Sequence, residues 1–362
     1  MTIYRNFVGL DVHARSVVGF AIDDQTGEVL RRRFGGDATE AVAWVRSLPG
    51  PQTATYEAGP TGFGLFRQLT DAGVRCVVAA PSKLQRPTGD RVKTDARDAE
   101  HLARLLRMDE ITSVRVPTIE EETARDLVRS REDTRQDLMG ARHRLSKLLL
   151  RHGFVYGDGH AWTDKHDVWL RSHRGGDRVF QMAFDANYEA VIQAAARRDR
   201  LDKAMAEMAA GSAFTPLVNR LGCLRGIGPL TGFALAVEIT DWHRFNGNTI
   251  GSFLGLVPSE YSSGQSRQLG GITKTGNSHA RRLLGEAAWH HRRDYRPTAQ
   301  SVMHARWAKA PMEAQLRGQA GNERLHHQWV QFTARKKRSV VANVAVAREL
   351  AGWCWSLAVM ES

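Results

Sequence analysis

The chain has 362 residues, of which 42% are hydrophobic and 25% charged, the balance of a soluble globular protein and enough length for two or three domains. It holds no run of about 18 apolar residues, so no membrane span is expected, and its first residues lack a signal-peptide layout, which points to the cytoplasm. The net charge is +12 and unevenly placed: residues 216–362 carry 19 basic against 9 acidic side chains, residues 1–118 carry 16 against 14, and residues 119–215 carry 16 of each. A polyanionic partner, most simply nucleic acid, is therefore expected to meet the last third most strongly, although such a charge also serves plain solubility. Cys76, Cys223 and Cys354 are far apart and odd in number, which excludes a paired-cysteine zinc site and predicts buried thiols.

In chain order, short apolar runs predict strands over 7–12, 17–22 and 28–34, with turn residues at 23–27. Helical spacing follows over 38–48, with Ala41, Val42, Val45 and Leu48 on one face. Residues 53–57 read as a strand broken by Gly59-Pro60, 63–72 as a helix, and 74–79 as a buried strand stopped by Pro81. Thr94 caps a helix running from 95 to about 108. The order β-β-β-α-β-α-β-α predicts a mixed sheet flanked by helices.

Four acids stand out on these elements. Asp11 interrupts an apolar strand, where a carboxylate is costly unless it is paired or bound to a cation. Glu57 ends the fourth strand, and Asp95 and Asp98 share one side of a helix's first turn. Each has an ordinary reading: Asp11 can pair with Arg15 or Lys83, Glu57 can be a surface charge, and acids in a first turn suit the helix dipole. Together they match the way a ribonuclease-H-like fold gathers carboxylates. Mg²⁺ is held by a few carboxylates and by substrate phosphate oxygens, and two such ions about 3.5–4 Å apart steady the attacking and leaving oxygens of phosphoryl transfer.

Past Pro117 the chain becomes highly charged. Residues 120–151 fit a long helix in which 127, 134, 141 and 148 share a heptad position. Residues 153–178, rich in Gly, His and Asp, read as an irregular insertion, and 188–208 resume helical character. A helical hairpin within one chain and a coiled coil between two chains are both open. His152, His160, His166 and His173 lack zinc-site spacing and read as solvated or DNA-facing.

In the last third, Gly226-Ile227-Gly228-Pro229 precedes an apolar helix over 231–239. Glycines at a helix start can offer N–H groups to a phosphate, in the manner of a helix-hairpin-helix element, or form a plain turn between helices. A Ser/Gly loop over 259–267 is followed by Ile272-Thr273-Lys274-Thr275-Gly276-Asn277 and a helix with Arg281 and Arg282. The loop is suited to binding a phosphate, and for catalysis a serine there needs activation or charge neutralisation, which Lys274, Arg281 and Arg282 can supply. The tryptophans at 289, 307, 329, 353 and 355 read as core residues, and Arg335-Lys336-Lys337-Arg338 as a solvated basic run.

The set Val8-Gly9-Leu10-Asp11, Tyr56-Glu57-Ala58-Gly59-Pro60-Thr61-Gly62, Lys93-Thr94-Asp95-Ala96-Arg97-Asp98-Ala99, Gly226-Ile227-Gly228-Pro229, Gly255-Leu256-Val257-Pro258 and Ser263-Gly264 with 272–277 resembles, in order, the DEDD transposases of bacterial insertion sequences of the IS-one-ten type, also called bridge-RNA-guided recombinases. The resemblance implies α/β plus all-α architecture: a RuvC-like mixed-sheet domain over 1–118, a coiled-coil connector over 119–215 and a mainly helical transposase domain over 216–362. It implies that Asp11, Glu57, Asp95 and Asp98 bind Mg²⁺, with Mn²⁺ able to substitute, and that Ser263 is the nucleophile of a 5′-phosphoserine intermediate. Gly226, Gly228, Lys274, Arg281 and Arg282 become candidate nucleic-acid contacts. The implied partners are donor and target DNA, a structured bridge RNA, and further copies of the chain as a homodimer or homotetramer in the bacterial nucleoid. In the family the acids and the serine meet from different subunits. A metal-dependent junction endonuclease using water, with the last third only binding, is the alternative.

Overall fold

A computed structural model describes residues 3–85, 94–262, 266, 268–294 and 302–360. The chain separates after Pro117 into two units, residues 1–117 and 118–362. In the first unit β1 (Asn6–His13), β2 (Ser16–Asp23) and β3 (Val29–Gly35) form an antiparallel meander. On the other side of β1, β4 (Gln52–Glu57) joins in parallel, and β5 (Arg75–Ala79) joins β4 in parallel, giving the order β3-β2-β1-β4-β5. Parallel neighbours need crossover connections, which α1 (Ala38–Ser47) and α2 (Gly64–Asp71) supply. The mixed α/β sheet expected from the sequence is present.

Side chains alternate across a strand, so each face of this sheet has its own cover. Val8, Leu10, Ala54 and Tyr56 turn to one face, with Ala41, Val45, Leu65 and Leu69 of α1 and α2. Val18, Phe20 and Ile22 turn to the other and pack with Ala99 and Ala103 of α3 (Asp95–Arg107). Thr94 caps α3 as expected, its hydroxyl accepting from the Arg97 N–H.

The second unit begins with α4 (Ile119–Arg151), opened by a capping box between Thr118 and Glu121. It packs antiparallel on α6 (Arg178–Ala210): Leu138, Leu145 and Leu149 meet Phe184 and Val191 at one end, while Ala124 and Val128 join Met205 and Ala209 at the other. Thr134, Ala141 and Leu148 of the heptad row are buried within this chain.

The stretch 153–178 is not wholly irregular. It contains α5 (Asp164–Ser172), and α6 starts ten residues earlier than expected, because the Asp177 carboxylate accepts from the Val179 and Phe180 N–H groups at 3.0 and 3.1 Å. Nor are its histidines all solvated. His166 is buried, stacked on Trp169 and edge-on to Tyr156 and Trp162, and burial pushes its pKa down. His173 packs on Phe154 and Trp169, and the exposed His152 on Phe180, whereas His160 is exposed. Polarity in sequence hid an aromatic core.

The remaining elements are α7 (Thr215–Leu221), α8 (Pro229–Ile239), α9 (Thr249–Phe253), a hairpin of β6 (Pro258–Glu260) and β7 (Leu269–Ile272), α10 (Ser278–Ala288), α11 (Val302–Trp307), α12 (Met312–Ala334) and α13 (Ser339–Ala358). α8 is buried almost all round and forms the centre of this core. Trp307 and Trp329 are buried in it, and residues 335–338 are exposed. Cys223 and Cys354 are buried free thiols, and burial pushes that of Cys223 up to about 12. Among the described residues no helix is long and apolar enough to cross a membrane.

Candidate functional site

In β1 the odd-numbered residues Gly9, Asp11 and His13 turn toward α3, because Val8 and Leu10 face the opposite layer. The parallel register between β1 and β4 runs to Leu10 and Tyr56. Asp11 and Glu57 therefore occupy the next rung, side by side on the α3 face of strands spaced about 4.8 Å apart. Both sit at the carboxyl end of their strands.

Helix α3 reaches them because position 9 is glycine. A Cβ built there would lie 2.0 Å from the Ala99 carbonyl oxygen and 2.5 Å from the Ala103 nitrogen. Gly9, Ala99 and Ala103 thus let helix and strand approach backbone to backbone, and the first turn of α3 delivers Asp95 and Asp98 to the strand end. The His13 Nε2–H donates to Asp11 Oδ2 at 3.0 Å and lies 3.7 Å from Asp95 Oδ1. Ligand atoms of Asp11, His13 and Asp95 all fall within 4.8 Å of one another.

Burial pushes the Asp11 carboxyl above its ordinary value, and the charges of Asp95 and Asp98 push it the same way, against the pull of His13. Carboxylates crowded in this way repel one another, and a divalent cation relieves the repulsion. Oxygen donors from two acids, with an imidazole beside them, suit such an ion. Asp11 finds His13 as its partner, rather than the Arg15 or Lys83 that sequence suggested. His13 was missed, although its position two residues beyond Asp11 on a strand puts both on one face.

The second unit treats its predicted residues differently. Gly226 has φ +81°, and a Cβ there would lie 2.5 Å from the Ala287 carbonyl oxygen, so this turn is pressed against α10. Gly228 caps α8 with extended backbone. Lys274 is exposed with φ +55°, its N–H donating to the Gly255 carbonyl at 3.1 Å. Arg281 donates to the Leu254 and Thr275 carbonyls at 2.8 and 2.7 Å, and Arg282 to Glu132 and Glu286 at 2.5 and 2.6 Å. These two guanidiniums are thus engaged within the chain. Two glycine knuckles interlock beside them: Cβ atoms at Gly255 and Gly276 would lie 2.4 Å from the Thr275 oxygen and 1.9 Å from the Phe253 oxygen. That contact locks Gly255-Leu256-Val257-Pro258 against Lys274-Thr275-Gly276-Asn277.

Beneath this loop is a buried polar network that sequence did not suggest. Glu238 accepts from Asn277 Nδ2 at 2.7 Å and His279 Nδ1 at 3.3 Å, with Arg129 at 3.4 Å. Burial opposes ionisation, but these hydrogen bonds and charges win and hold the Glu238 carboxyl down at about 2. His279 Nε2 also lies 3.6 Å from Glu132. The signal was available only as a lone Glu in an otherwise apolar helix.

Ser263 lies outside the described residues. Its neighbour Ser262 donates to Glu260 Oε1 at 2.8 Å, at the end of β6. Beside the β6–β7 hairpin is a cavity of about 920 Å³, lined by apolar groups such as Val344 and Trp353 and by the cations Arg317, Lys337, Arg338 and Arg348.

Comparison with known proteins accounts for both halves of the chain. A profile of the IS110-type DEDD transposases, described simply as a transposase, matches residues 8–154. A profile described as the transposase IS116/IS110/IS902 family matches residues 218–304. The chain is 36% identical to the "Putative transposase y4qE" of Sinorhizobium fredii, over 97% of this chain and 88% of that one. It is 29% identical to the transposase for insertion sequence element IS1533 of Leptospira borgpetersenii, over 92% of this chain and 98% of that one. It is 23% identical to the transposase for insertion sequence element IS1111A of Coxiella burnetii, over 76% and 75%.

Proposed function

The chain belongs to the IS110-type DEDD transposases, enzymes that cleave and transfer DNA, and from that membership we propose that it cuts and rejoins DNA at the ends of an insertion sequence through a serine ester. What supports the reading is the approach of Asp95 and Asp98 to Asp11 at the end of β1, on the face of the mixed sheet to which Glu57 at the end of β4 also belongs by strand alternation. Divalent-metal dependence follows from the DEDD family, and Mg²⁺, with Mn²⁺ as a substitute, is the ion this reading assigns.

In this reading Asp11, Glu57, Asp95 and Asp98 would hold the ion, which when bound would supply positive charge to offset the charge developing on the phosphate oxygens. His13, hydrogen-bonded to Asp11, fixes that carboxylate's direction and can hold a proton at Nε2. The Ser263 hydroxyl gives its proton to solvent water as its oxygen attacks phosphorus. The bond from phosphorus to the 3′-oxygen breaks, and that oxygen takes a proton from water, so the step is proton-neutral. The products are a 5′-phosphoserine and a free 3′-hydroxyl; attack of a 3′-hydroxyl on the ester reverses the step and rejoins the strand. Donor and target DNA are the substrates, a structured bridge RNA selects them, and homodimers or homotetramers bring acids and serine from different copies to one linkage. Gly226, Gly228 and Lys274 are kept as contacts to the nucleic-acid backbone in this reading, with Arg281 holding the Leu254 and Thr275 carbonyls of the loop and Arg282 tying α10 to Glu132 of α4.

The test is to trap the reaction on an element-end DNA and map the adducted peptide. Ser263→Ala is expected to abolish the protein–DNA adduct while DNA binding persists, and Ser262→Ala to retain it. A Ser263→Ala protein that still recombines DNA refutes the nucleophile. Metal-dependent cleavage without any adduct would instead mean a water-using junction endonuclease.

A further inference from the structure

The strand β3 lies at the sheet edge and carries Arg31-Arg32-Arg33. Cations on an edge strand commonly serve to block pairing with another sheet. The register gives Arg33 a more specific place. Arg33 pairs with Val18 across β3 and β2, and Val18 pairs with Asp11 across β2 and β1. The β1–β4 register ends at Leu10 and Tyr56, and one further rung would bring Glu57 into the same row. Arg33, Val18, Asp11 and Glu57 thus form one line across the sheet, all on the α3 face. Two strand spacings, about 10 Å, separate Arg33 from Asp11, with only the small Val18 between them.

Its neighbours are otherwise occupied. Arg31 is paired with Glu100 at 2.9 Å, and Arg32 lies over the Phe34 ring, on the opposite face. The recorded bond of Arg33 is a long one of 3.4 Å to the Ser16 hydroxyl, and no acid pairs with it among the described residues. Arg33 lines an open groove of about 580 Å³ together with its strand neighbours Arg31 and Arg32, Val18, and residues 94–96. The groove thus sets the Arg33 guanidinium, which has no acid partner among the described residues, together with Asp95 of the acidic cluster.

A site built from four carboxylates repels a polyanion, so a DNA strand entering it needs a fixed cation nearby. We propose that Arg33 binds a backbone phosphate of the DNA strand, next to the one held at the carboxylates, and so positions the scissile linkage along the Arg33–Asp11 row. The planar guanidinium suits a phosphate through two parallel N–H donors. The inference rests on the reading of Asp11, Glu57, Asp95 and Asp98 as the chemical site.

The test is binding of the full chain to a fluorescently labelled duplex of arbitrary sequence, in EDTA, over a salt series. One lost phosphate contact lowers the slope of log K against log salt by about 0.9, so the advantage of wild type over Arg33→Ala should shrink about 3.5-fold between 50 and 200 mM salt. Arg33→Lys keeps the charge and should keep most of the slope. Arg46→Ala, on the α1 layer across the sheet, should keep all of it. Arg33 is exposed, so an unchanged melting temperature certifies each variant's fold. In cleavage assays with metal, Arg33→Ala should raise KM more than it lowers kcat. An unchanged salt slope in Arg33→Ala, or an equal drop in Arg46→Ala, overturns the proposal. Asp11→Asn tests the underlying reading separately: it should abolish cleavage, and normal cleavage by that variant would remove the acidic site whatever Arg33 does.

Discussion

Gly9→Ala adds one methyl group where helix α3 crosses strand β1. The new carbon would start 2.0 Å from the Ala99 oxygen, and an ordinary contact near 3.5 Å requires the helix to retreat by about 1.5 Å. Overpacking of this kind costs about 1–3 kcal/mol, partly offset by the lower freedom of alanine in the unfolded chain, about 0.4–1 kcal/mol. A net loss of about 1–2 kcal/mol in a unit of this size lowers the melting temperature by about 4–10 °C. The retreat also carries Asp95 and Asp98 away from Asp11 and His13, and a misplacement near 1 Å costs about 10²-fold in rate. The assays are thermal melting and metal-dependent strand cleavage on the same preparation. Gly35→Ala, at the end of β3 with open space around it, is the matched control and should be near neutral. Native melting and native cleavage in Gly9→Ala would refute the claim that this contact sets the site.

Two further outcomes follow from buried ionisable groups. Glu238→Gln removes a charged acceptor from Asn277, His279 and Arg129 and should cost about 1–3 kcal/mol near pH 7, read by denaturant unfolding. The Glu238 carboxyl is held down at about 2 in the folded chain, against about 4.5 when free, so its stabilising effect is complete above pH 5 and fades as pH falls toward 2; a gap between wild type and Glu238→Gln that stays constant over that range counts against the network. His166 is kept neutral by burial, so the unfolded chain binds its proton more readily and stability should fall as pH drops below about 6.5. His166→Phe should remove that slope around residues 154–188, measured by amide hydrogen exchange, and a slope that persists in the variant would assign it to another group.

Most elements of the first unit were legible because their strands and helices have simple periodicities and clear stops. The antiparallel meander, Thr94 as a cap and Asp11 as an anomaly in an apolar strand all follow from local physical chemistry. The region 153–178 was misread because its apolar content is aromatic and interleaved with His and Asp; only packing between chain-distant rings shows that it is a core. The long heptad row on α4 left its partner undefined, since an apolar stripe states that something covers it and not what; the fold supplies α6 of the same chain.

The residue types of the site were written in the chain, because a carboxylate in a strand and acids in a helix's first turn are costly or oriented locally, wherever they end up. Their meeting was not, because it depends on strand register and on one missing side chain. Register places Asp11 beside Glu57 and in line with Arg33, and Gly9 lets α3 close on β1. Arg281 and Arg282 show the same limit from the other direction: their charge is evident in sequence, but whether it faces a ligand or a buried Glu132 is decided by packing across 150 residues of chain. Local sequence sets the chemistry each side chain can perform, and long-range contacts set which of them can perform it together.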